Sequence, residues 1–323
     1  MNKKHKKQLV LLVNLGSPAQ LSVAAIRIFL RDFLSDKRVV GLPRWLWYPI
    51  LYGIILPIRA KKLLHKYKLI WRDDGLSPLS YYTKCQAEKL AVCCDENTVV
   101  DYAFCYGDNT IKERLMHLEA QYHFDSLVVI PLYPQYSSST SAVVFDQVAN
   151  YYSRRYYIPS ISYITSFADH AAYIQLLANS VRHHWDVNGR ADKLLLSFHS
   201  IPVALVDNGD TYVAECELTR ELLCKSLGLT PSDVLIAYQS KFGRAKWVEP
   251  ATDDVIKQLA KSTSSIDVIC PGFVSDCLET LEEVAIQYHD LYISHGGQKL
   301  CYIPCINDNP AFGSMLNEII KQN

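Results

Sequence analysis

The chain has 323 residues, of which 49% are hydrophobic and 20% charged, the balance of a soluble globular protein long enough for about two domains. Lysine plus arginine and aspartate plus glutamate each number 33, so the formal net charge is zero. No global field favours nucleic acid, and no nucleic-acid partner is expected.

Lys3, Lys4, Lys6 and Lys7 precede an apolar run from Leu9 to Leu15. The run is short and ends in Asn14-Leu15-Gly16-Ser17-Pro18 without a small-residue cleavage pattern, so it reads as a solvated tail and a first strand, with no secretory signal. Further strand-like runs lie at 99–105, 126–132, 160–166, 193–198, 233–238, 266–270 and 299–303. Between them fall amphipathic stretches at 22–34, 80–93, 109–122, 141–153, 169–186, 211–227, 250–261, 276–290 and 309–321. This alternation means βαβ units and parallel sheets. Eight strands could close one barrel, but a weak repeat favours two sheets of four. Asn14-Leu15-Gly16-Ser17-Pro18 matches His199-Ser200-Ile201-Pro202, and Phe104-Cys105-Tyr106-Gly107 matches Tyr238-Gln239-Ser240-Lys241-Phe242-Gly243. Pro131-Leu132-Tyr133-Pro134-Gln135 likewise matches Pro271-Gly272-Phe273-Val274-Ser275. The expected fold is α/β, with two similar Rossmann-like domains over 1–167 and 168–308, each a four-stranded parallel sheet flanked by helices. The last helix, 309–323, is a candidate to pack on the first domain. No GxGxxG or GxxxxGK[ST] follows a strand, which argues against a nucleotide-binding dehydrogenase or P-loop enzyme.

Residues 37–72 break the rhythm. Trp45, Trp47, Tyr48, Ile50, Leu51, Tyr52, Ile54, Ile55 and Leu56 stand among Arg38, Arg44, Arg59, Lys61, Lys62, Lys66 and Lys68, with no acid from Lys37 to Arg72. The apolar stretch falls short of the ~20 residues needed to span a bilayer. An apolar, aromatic face flanked by cations suits a membrane interface or an amphipathic anionic ligand, and a core helix pair with a basic outer side is the alternative.

The ten cysteines form no C-x-x-C pair, so zinc-ribbon and thioredoxin readings fail and a reducing, cytoplasmic compartment is expected. Chemistry points instead to two strand ends. His199 closes the run Leu194–Phe198, where open α/β sheets bind ligands; a hydrogen-bonded turn histidine is the plain alternative. Cys270-Pro271-Gly272-Phe273-Val274-Ser275-Asp276 leads from another strand end into a helix-like segment. There Asp276, Glu279 and Glu283 at i, i+3 and i+7 would share one α-helical face. Asp276 as N-cap with Glu279 as its capping-box partner is the competing reading. A histidine and a row of carboxylates can hold a borderline divalent metal and move protons.

His199-Ser200-Ile201-Pro202 followed by Asp207-Asn208-Gly209-Asp210-Thr211-Tyr212 resembles the signature of the ferrochelatase family. Gly75-Leu76-Ser77-Pro78, Tyr133-Pro134-Gln135-Tyr136-Ser137, Gln239-Ser240-Lys241-Phe242-Gly243 with Trp247, and Ser275-Asp276-Cys277-Leu278-Glu279-Thr280-Leu281 follow in family order. The resemblance covers nearly the whole chain. It implies a class II chelatase-like pair of domains clamping a porphyrin, and insertion of ferrous iron into protoporphyrin IX in haem biosynthesis. It implies that His199 takes protons from the pyrrole nitrogens and contacts the metal, with Glu279 across the cleft and Glu283 continuing the acidic row. Leu15 would line the porphyrin face; Arg59, Tyr67 and Ser77 would hold propionates; Phe242 and Trp247 would form the cleft wall. Tyr133, Ser240 and Asp276 complete the implied substrate-binding set, and 37–58 matches a hydrophobic lip that meets the membrane. The implied partners are porphyrin, ferrous iron, the inner-membrane surface and the preceding porphyrin-producing oxidase.

There are departures. Cys277 stands where many members have His, in a form resembling the proteobacterial branch, and Cys105 stands where animal members have Arg. Ser138 occupies the place of an upstream cluster cysteine, and no cysteine-rich C-terminal stretch is present, so no cofactor and no iron–sulfur cluster is expected. Cys301 and Cys305, with Pro304 between them, read as strand-end residues and not as ligands. The rivals are a chelatase for cobalt or another tetrapyrrole such as coproporphyrin, a non-catalytic porphyrin or haem carrier, and an exported small-molecule binding protein.

Overall fold

Each apolar run becomes a strand: β1 (Lys4–Asn14), β2 (Thr98–Phe104), β3 (Tyr122–Pro131), β4 (Ser160–Tyr163), β5 (Lys193–His199), β6 (Val234–Gln239), β7 (Ser265–Ile269) and β8 (Lys299–Ile303). The computed structural model describes residues 4–322 apart from Phe242 and Arg244. Among the described residues the strands form two four-stranded sheets, ordered β2-β1-β3-β4 and β6-β5-β7-β8. Every pairing within them is parallel. The two orders are the same, which explains the sequence repeat. Asn14 ends β1 beside Phe104, and His199 ends β5 beside Gln239, so the two residues are topological equivalents. In each sheet the chain reverses direction of winding at this strand, the switch point where such sheets bind ligands.

Burial on both faces requires uniformly apolar central strands. Leu9, Val10, Leu11, Leu12 and Val13 are fully buried, as are Leu195, Leu196 and Phe198. The basic N-terminal residues differ from expectation. Lys4 and Lys6 lie inside β1 and pair with Tyr122 and Phe124, because ladder hydrogen bonds need only backbone and a neighbouring strand.

Helices start where the local chemistry satisfies their free N–H groups. Ser22 accepts from the Ala25 N–H at 3.2 Å. Thr110 and Glu113 form a reciprocal capping box. Ser77 caps Pro78–Cys93, accepting from Ser80 N–H at 3.1 Å, with Pro78 in the first turn.

The chain divides into two units. The first comprises residues 1–132, 138–165 and 312–323; the second comprises 133–137 and 166–311. In the first, the helix Phe312–Gln322 lies against Pro78–Cys93. A Cβ on Gly313 would sit 2.4 Å from the Lys89 carbonyl oxygen, so only glycine allows this approach. Asn317 donates to the Cys93 carbonyl oxygen at 2.9 Å.

The segment after the first helix forms the helix Arg44–Ile50, a π-turn at Leu51–Ile55 and the helix Leu56–Ile70. Trp45, Tyr48, Ile50, Tyr52, Ile54 and Ile58 are exposed. Trp47 is not part of that face: it is 6% exposed, and its indole N–H donates to the Leu34 carbonyl oxygen at 2.7 Å. Residues i and i+2 of a helix point to different sides, so Trp45 and Trp47 cannot serve one surface.

Candidate active site

In the second unit, β5 carries His199 to the C-terminal end of an interior strand and leaves its ring half-buried. Its Nδ1 lies 2.7 Å from the Ser200 carbonyl oxygen. A carbonyl only accepts, so Nδ1 carries the proton and Nε2 of the neutral ring keeps its lone pair for a proton or a metal. Ser200 is itself fixed: its N–H donates to Gln239 O at 2.8 Å and its hydroxyl to Val248 O at 3.1 Å. Pro202 bridges Trp247, and the Val248 N–H donates to Ile201 O at 3.0 Å. These bonds draw half-buried Trp247 beside the histidine turn. Phe242 lies outside the described residues.

The acidic cluster is not α-helical. Glu279–Tyr288 is a π-helix, continued by the α-helix His289–Ser294. The expected i, i+3, i+7 face therefore does not form. Its i→i+5 pattern instead brings Glu283 to Tyr288 and Glu282 to Gln287. Tyr288 donates to Glu283 Oε1 at 2.9 Å, and Gln287 Nε2 lies 2.6 Å from both oxygens of buried Glu282. Ser240 donates to the other Glu283 oxygen at 2.5 Å. Ser240 is a non-glycine residue at φ 66°, a backbone conformation whose cost is tolerated mainly at functional positions. Burial, reinforced by the Glu283 charge, pushes the Tyr288 hydroxyl far above its ordinary pKa, so it remains a donor. Glu279 and Glu283 are both half-buried.

A buried polar relay ties this helix to the histidine strand. Ser197, two residues before His199, donates to Gln239 Oε1 at 2.6 Å; Gln239 Nε2 donates to the Glu279 carbonyl oxygen at 2.9 Å. Ser197 and Gln239 are at most 1% exposed. No periodicity in the sequence signalled Ser197 or Tyr288 as part of the site.

Asp276 takes a structural place. It is 3% exposed and accepts from Tyr302 at 2.6 Å, Thr280 at 2.9 Å and Asn307 at 2.6 Å. With these donors its carboxylate closes the turn after β7. The expected capping-box partner is absent too: Thr280, and not Glu279, closes the turn. Cys277 is buried, and burial together with the Glu279 carboxylate raises its thiol well above its usual pKa.

The segment 133–137 belongs to the second unit. Tyr133 is half-buried. Gln135 donates to Thr219 at 2.9 Å and Ser137 to Asp210 at 3.0 Å. Asp210 also accepts from the Tyr212 N–H at 3.0 Å, so much of the 207–212 signature is scaffolding.

In the first unit, half-buried Leu15 follows β1, held by its N–H to Asn14 Oδ1 at 2.8 Å. A Cβ on Gly16, at φ +99°, would sit 2.0 Å from the Tyr106 carbonyl oxygen. Arg59 is half-buried, and burial lowers its pKa from the ordinary value, the mark of a guanidinium short of water. Tyr67 is 7% exposed and stacks edge-on against Trp71. Ser77 is 3% exposed; its hydroxyl meets Ser17 at 2.7 Å and caps the helix behind it.

The family model for ferrochelatase matches residues 7–323. Ferrochelatase of Aliivibrio fischeri (strain MJ11) is 45% identical over 318 residues, covering 98% of both chains. Ferrochelatase of Aromatoleum aromaticum is 44% identical over 317 residues, covering 97% of this chain and 86% of that one. Among solved structures, SirB from Bacillus subtilis with Fe3+ aligns with TM-score 0.57 at 12% identity over 98% of this chain and 95% of the other. CbiX, described as the terminal enzyme of sirohaem biosynthesis in denitrifying bacteria, aligns with TM-score 0.53 over 97% and 98%; at that distance both likenesses speak to fold alone. With the family model matched almost end to end and full-length relatives well above 30% identity, the chain belongs to the ferrochelatase family.

Proposed function

We propose that the protein inserts ferrous iron into protoporphyrin IX to form protohaem, with His199 as the base. The supporting observation is the imidazole whose Nδ1 is committed to the Ser200 carbonyl oxygen. Two pyrrole protons must leave as the dication enters. Nε2 of His199 accepts one, and a positioned base of this kind contributes roughly 10²–10⁴-fold to rate. Glu279 and Glu283 supply oxygen ligands and onward proton transfer, with Glu283 oriented by Ser240 and Tyr288. Leu15, Tyr133 and Trp247 offer packing surface to the macrocycle, and Arg59 is the cation for a propionate. Ferrous iron is a substrate here; the chain uses no resident cofactor and no iron–sulfur cluster.

The exposed Trp45, Tyr48, Tyr52 and Ile54 with neighbouring lysines form a lip that lies on an anionic membrane surface. Among the described residues no helix is long and apolar enough to cross a membrane, so the association is peripheral to the cytoplasmic membrane. A poorly soluble porphyrin then reaches the lip from the bilayer or from the preceding porphyrin-producing oxidase.

The deciding experiment is anaerobic incubation with ferrous iron and either protoporphyrin IX or coproporphyrin, followed by absorbance. Haem formation with protoporphyrin is expected. Binding of porphyrin without turnover would identify a carrier, and preference for coproporphyrin or cobalt a different chelatase. An iron–sulfur chromophore with stoichiometric acid-labile sulfide after anaerobic purification would overturn the cluster-free reading.

A further inference from the structure

Asp267 of β7 and Cys301 of β8 are register partners in adjacent parallel strands, so their side chains emerge side by side on one face of the second sheet. That face is opposite the one built from Ile266, Val268, Leu300 and Tyr302. The helix Ala171–Asn188 brings His184 onto it. His184 Nε2 lies 3.2 Å from Asp267 Oδ1, with the two side chains 11% and 3% exposed. One ligand atom from each of His184, Asp267 and Cys301 lies within 4.8 Å of the others. Among the described residues this is the one group of three such side chains to converge so closely. Cys301 is thus an interior residue of β8 and not, as expected, a strand-end residue.

We propose that His184, Asp267 and Cys301 form a binding site for a thiophilic divalent ion of the zinc class. The donor set is one nitrogen, one oxygen and one sulfur, the combination that suits zinc and excludes magnesium and calcium. Each ligand stands on a helix or strand, so the geometry is rigid. The supporting contacts are those a metal site needs. Trp185 Nε1 donates to Asp267 Oδ2 at 2.7 Å and the Ala191 N–H donates to it at 3.3 Å, which leaves Oδ1 directed at His184. Asn188 Nδ2 lies 3.2 Å from His184 Nδ1 and can orient the ring. A small cavity lined by Asn188, Arg190, Ala191, Ser265, Asp267 and Lys299 opens beside Asp267. Burial raises the Cys301 thiol pKa, while Lys299 lowers it and Asp267 raises it. A cysteine thiol carries its proton at neutral pH. Binding forms one bond each to sulfur, oxygen and nitrogen, and releases the thiol proton to solvent. In the ion-free chain Asn188 Nδ2 donates to the His184 carbonyl oxygen at 3.1 Å and faces Nδ1, so the ring proton sits on Nε2 against Asp267; taking the ion requires that proton to move to Nδ1 and the Asn188 amide to swing clear. One carboxylate and one thiolate then balance the dication, so no net charge is left in the half-buried site.

The test uses the full chain, stripped by chelator and titrated anaerobically with cobalt(II) as a coloured probe, then with zinc(II). One tightly held cobalt per chain is expected, with a sulfur-to-cobalt charge-transfer band, release of one proton and displacement by zinc. Cys301→Ser should remove the band. Both Cys301→Ser and His184→Gln should weaken binding by more than about 10-fold, the scale on which even supporting groups of metal ligands act. His199→Ala should leave the band intact. The proposal is overturned if Cys301→Ser keeps the band, if Cys93→Ser removes it instead, or if His199→Ala abolishes it. Absence of cobalt or zinc binding to the parent chain overturns it equally. Thermal unfolding of the metal-free variants verifies that each is folded.

Discussion

The 2.9 Å hydrogen bond from Gln239 Nε2 to the Glu279 carbonyl oxygen ties the end of β6 to the first turn of the π-helix. The other end of the same amide accepts from Ser197 at 2.6 Å. His199 and Glu279 are thereby held by one buried side chain that touches neither of their functional atoms. Gln239→Leu should remove one hydrogen bond each from Ser197, which keeps Thr252 at 2.9 Å, and from the Glu279 carbonyl oxygen, costing roughly 0.5–1.5 kcal/mol of stability for each bond lost. The folded fraction should also turn over more slowly. Urea unfolding and turnover per folded molecule measure the two effects separately, and unchanged values in both would discard the relay.

His199→Ala should reduce iron insertion by about 10²-fold or more, the lower range for a lost general base. Because the ring is half-exposed and hydrogen-bonds a neighbouring carbonyl, stability should change little. Anaerobic turnover and porphyrin fluorescence quenching report chemistry and binding. Near-parental turnover would remove His199 as the base.

Glu283 is held at both oxygens, by Ser240 and Tyr288. Tyr288→Phe removes one donor and keeps the ring. Turnover should fall about 3- to 10-fold, matching a hydrogen bond to a charged group worth ~1.5 kcal/mol or less at the rate-limiting step. Glu279→Gln should lower turnover further with porphyrin affinity nearly kept. A Tyr288→Phe variant that loses stability but no turnover per folded molecule would assign the hydroxyl to packing alone.

The two tryptophans of the lip should separate cleanly. Trp47→Ala should cost about 3–5 kcal/mol, as for other buried large aromatics. Trp45→Ser, at a position 75% exposed, should stay within about 0.5 kcal/mol of the parent. The second change, combined with Tyr48→Ser and Tyr52→Ser, should weaken salt-sensitive binding to anionic vesicles. If the parent chain ignores such vesicles at low salt, the membrane proposal fails.

Buried thiols and phenols make stability sensitive to alkali. Burial raises Cys270, Cys277 and Cys305 well above their ordinary values, and likewise Tyr212 and Tyr302. The folded chain keeps thiol protons that the unfolded chain releases near pH ~8.5. This stability is fully present below that pH and is lost as pH rises above it, by up to about 1.4 kcal/mol per pH unit for each thiol. Urea midpoints should fall from pH 8 to 10, and less steeply for Cys270→Ala. A flat profile would show that the thiols are not protected.

Much of the scaffold was legible because it rests on local rules. Apolar runs of strand length and amphipathic stretches between them require no knowledge of distant residues. The positions of His199 and the acidic stretch at strand ends followed from the same alternation. The hydrogen bonds that hold Ser77 and Asp276 did not. Whether a hydroxyl or carboxylate faces a ligand or an internal donor depends on Ser17, Tyr302 and Asn307, which are 60, 26 and 31 residues away.

By itself, the sequence determined the parallel α/β class, the doubled sheet and the motif positions, since periodicity and the absence of a phosphate-binding loop are both written within a few residues. Tertiary structure alone decided three things. It turned Glu279–Tyr288 into a π-helix, so that Glu283 met Tyr288 instead of sharing an α-helical face with Asp276. It chose Trp47 over Trp45 for burial, because the acceptor for an indole N–H stood at Leu34. It set Asp267 and Cys301 in register and laid His184 over them. In each case the deciding term is a hydrogen bond or pairing between residues far apart in the chain, and such pairings exist only once the chain has packed.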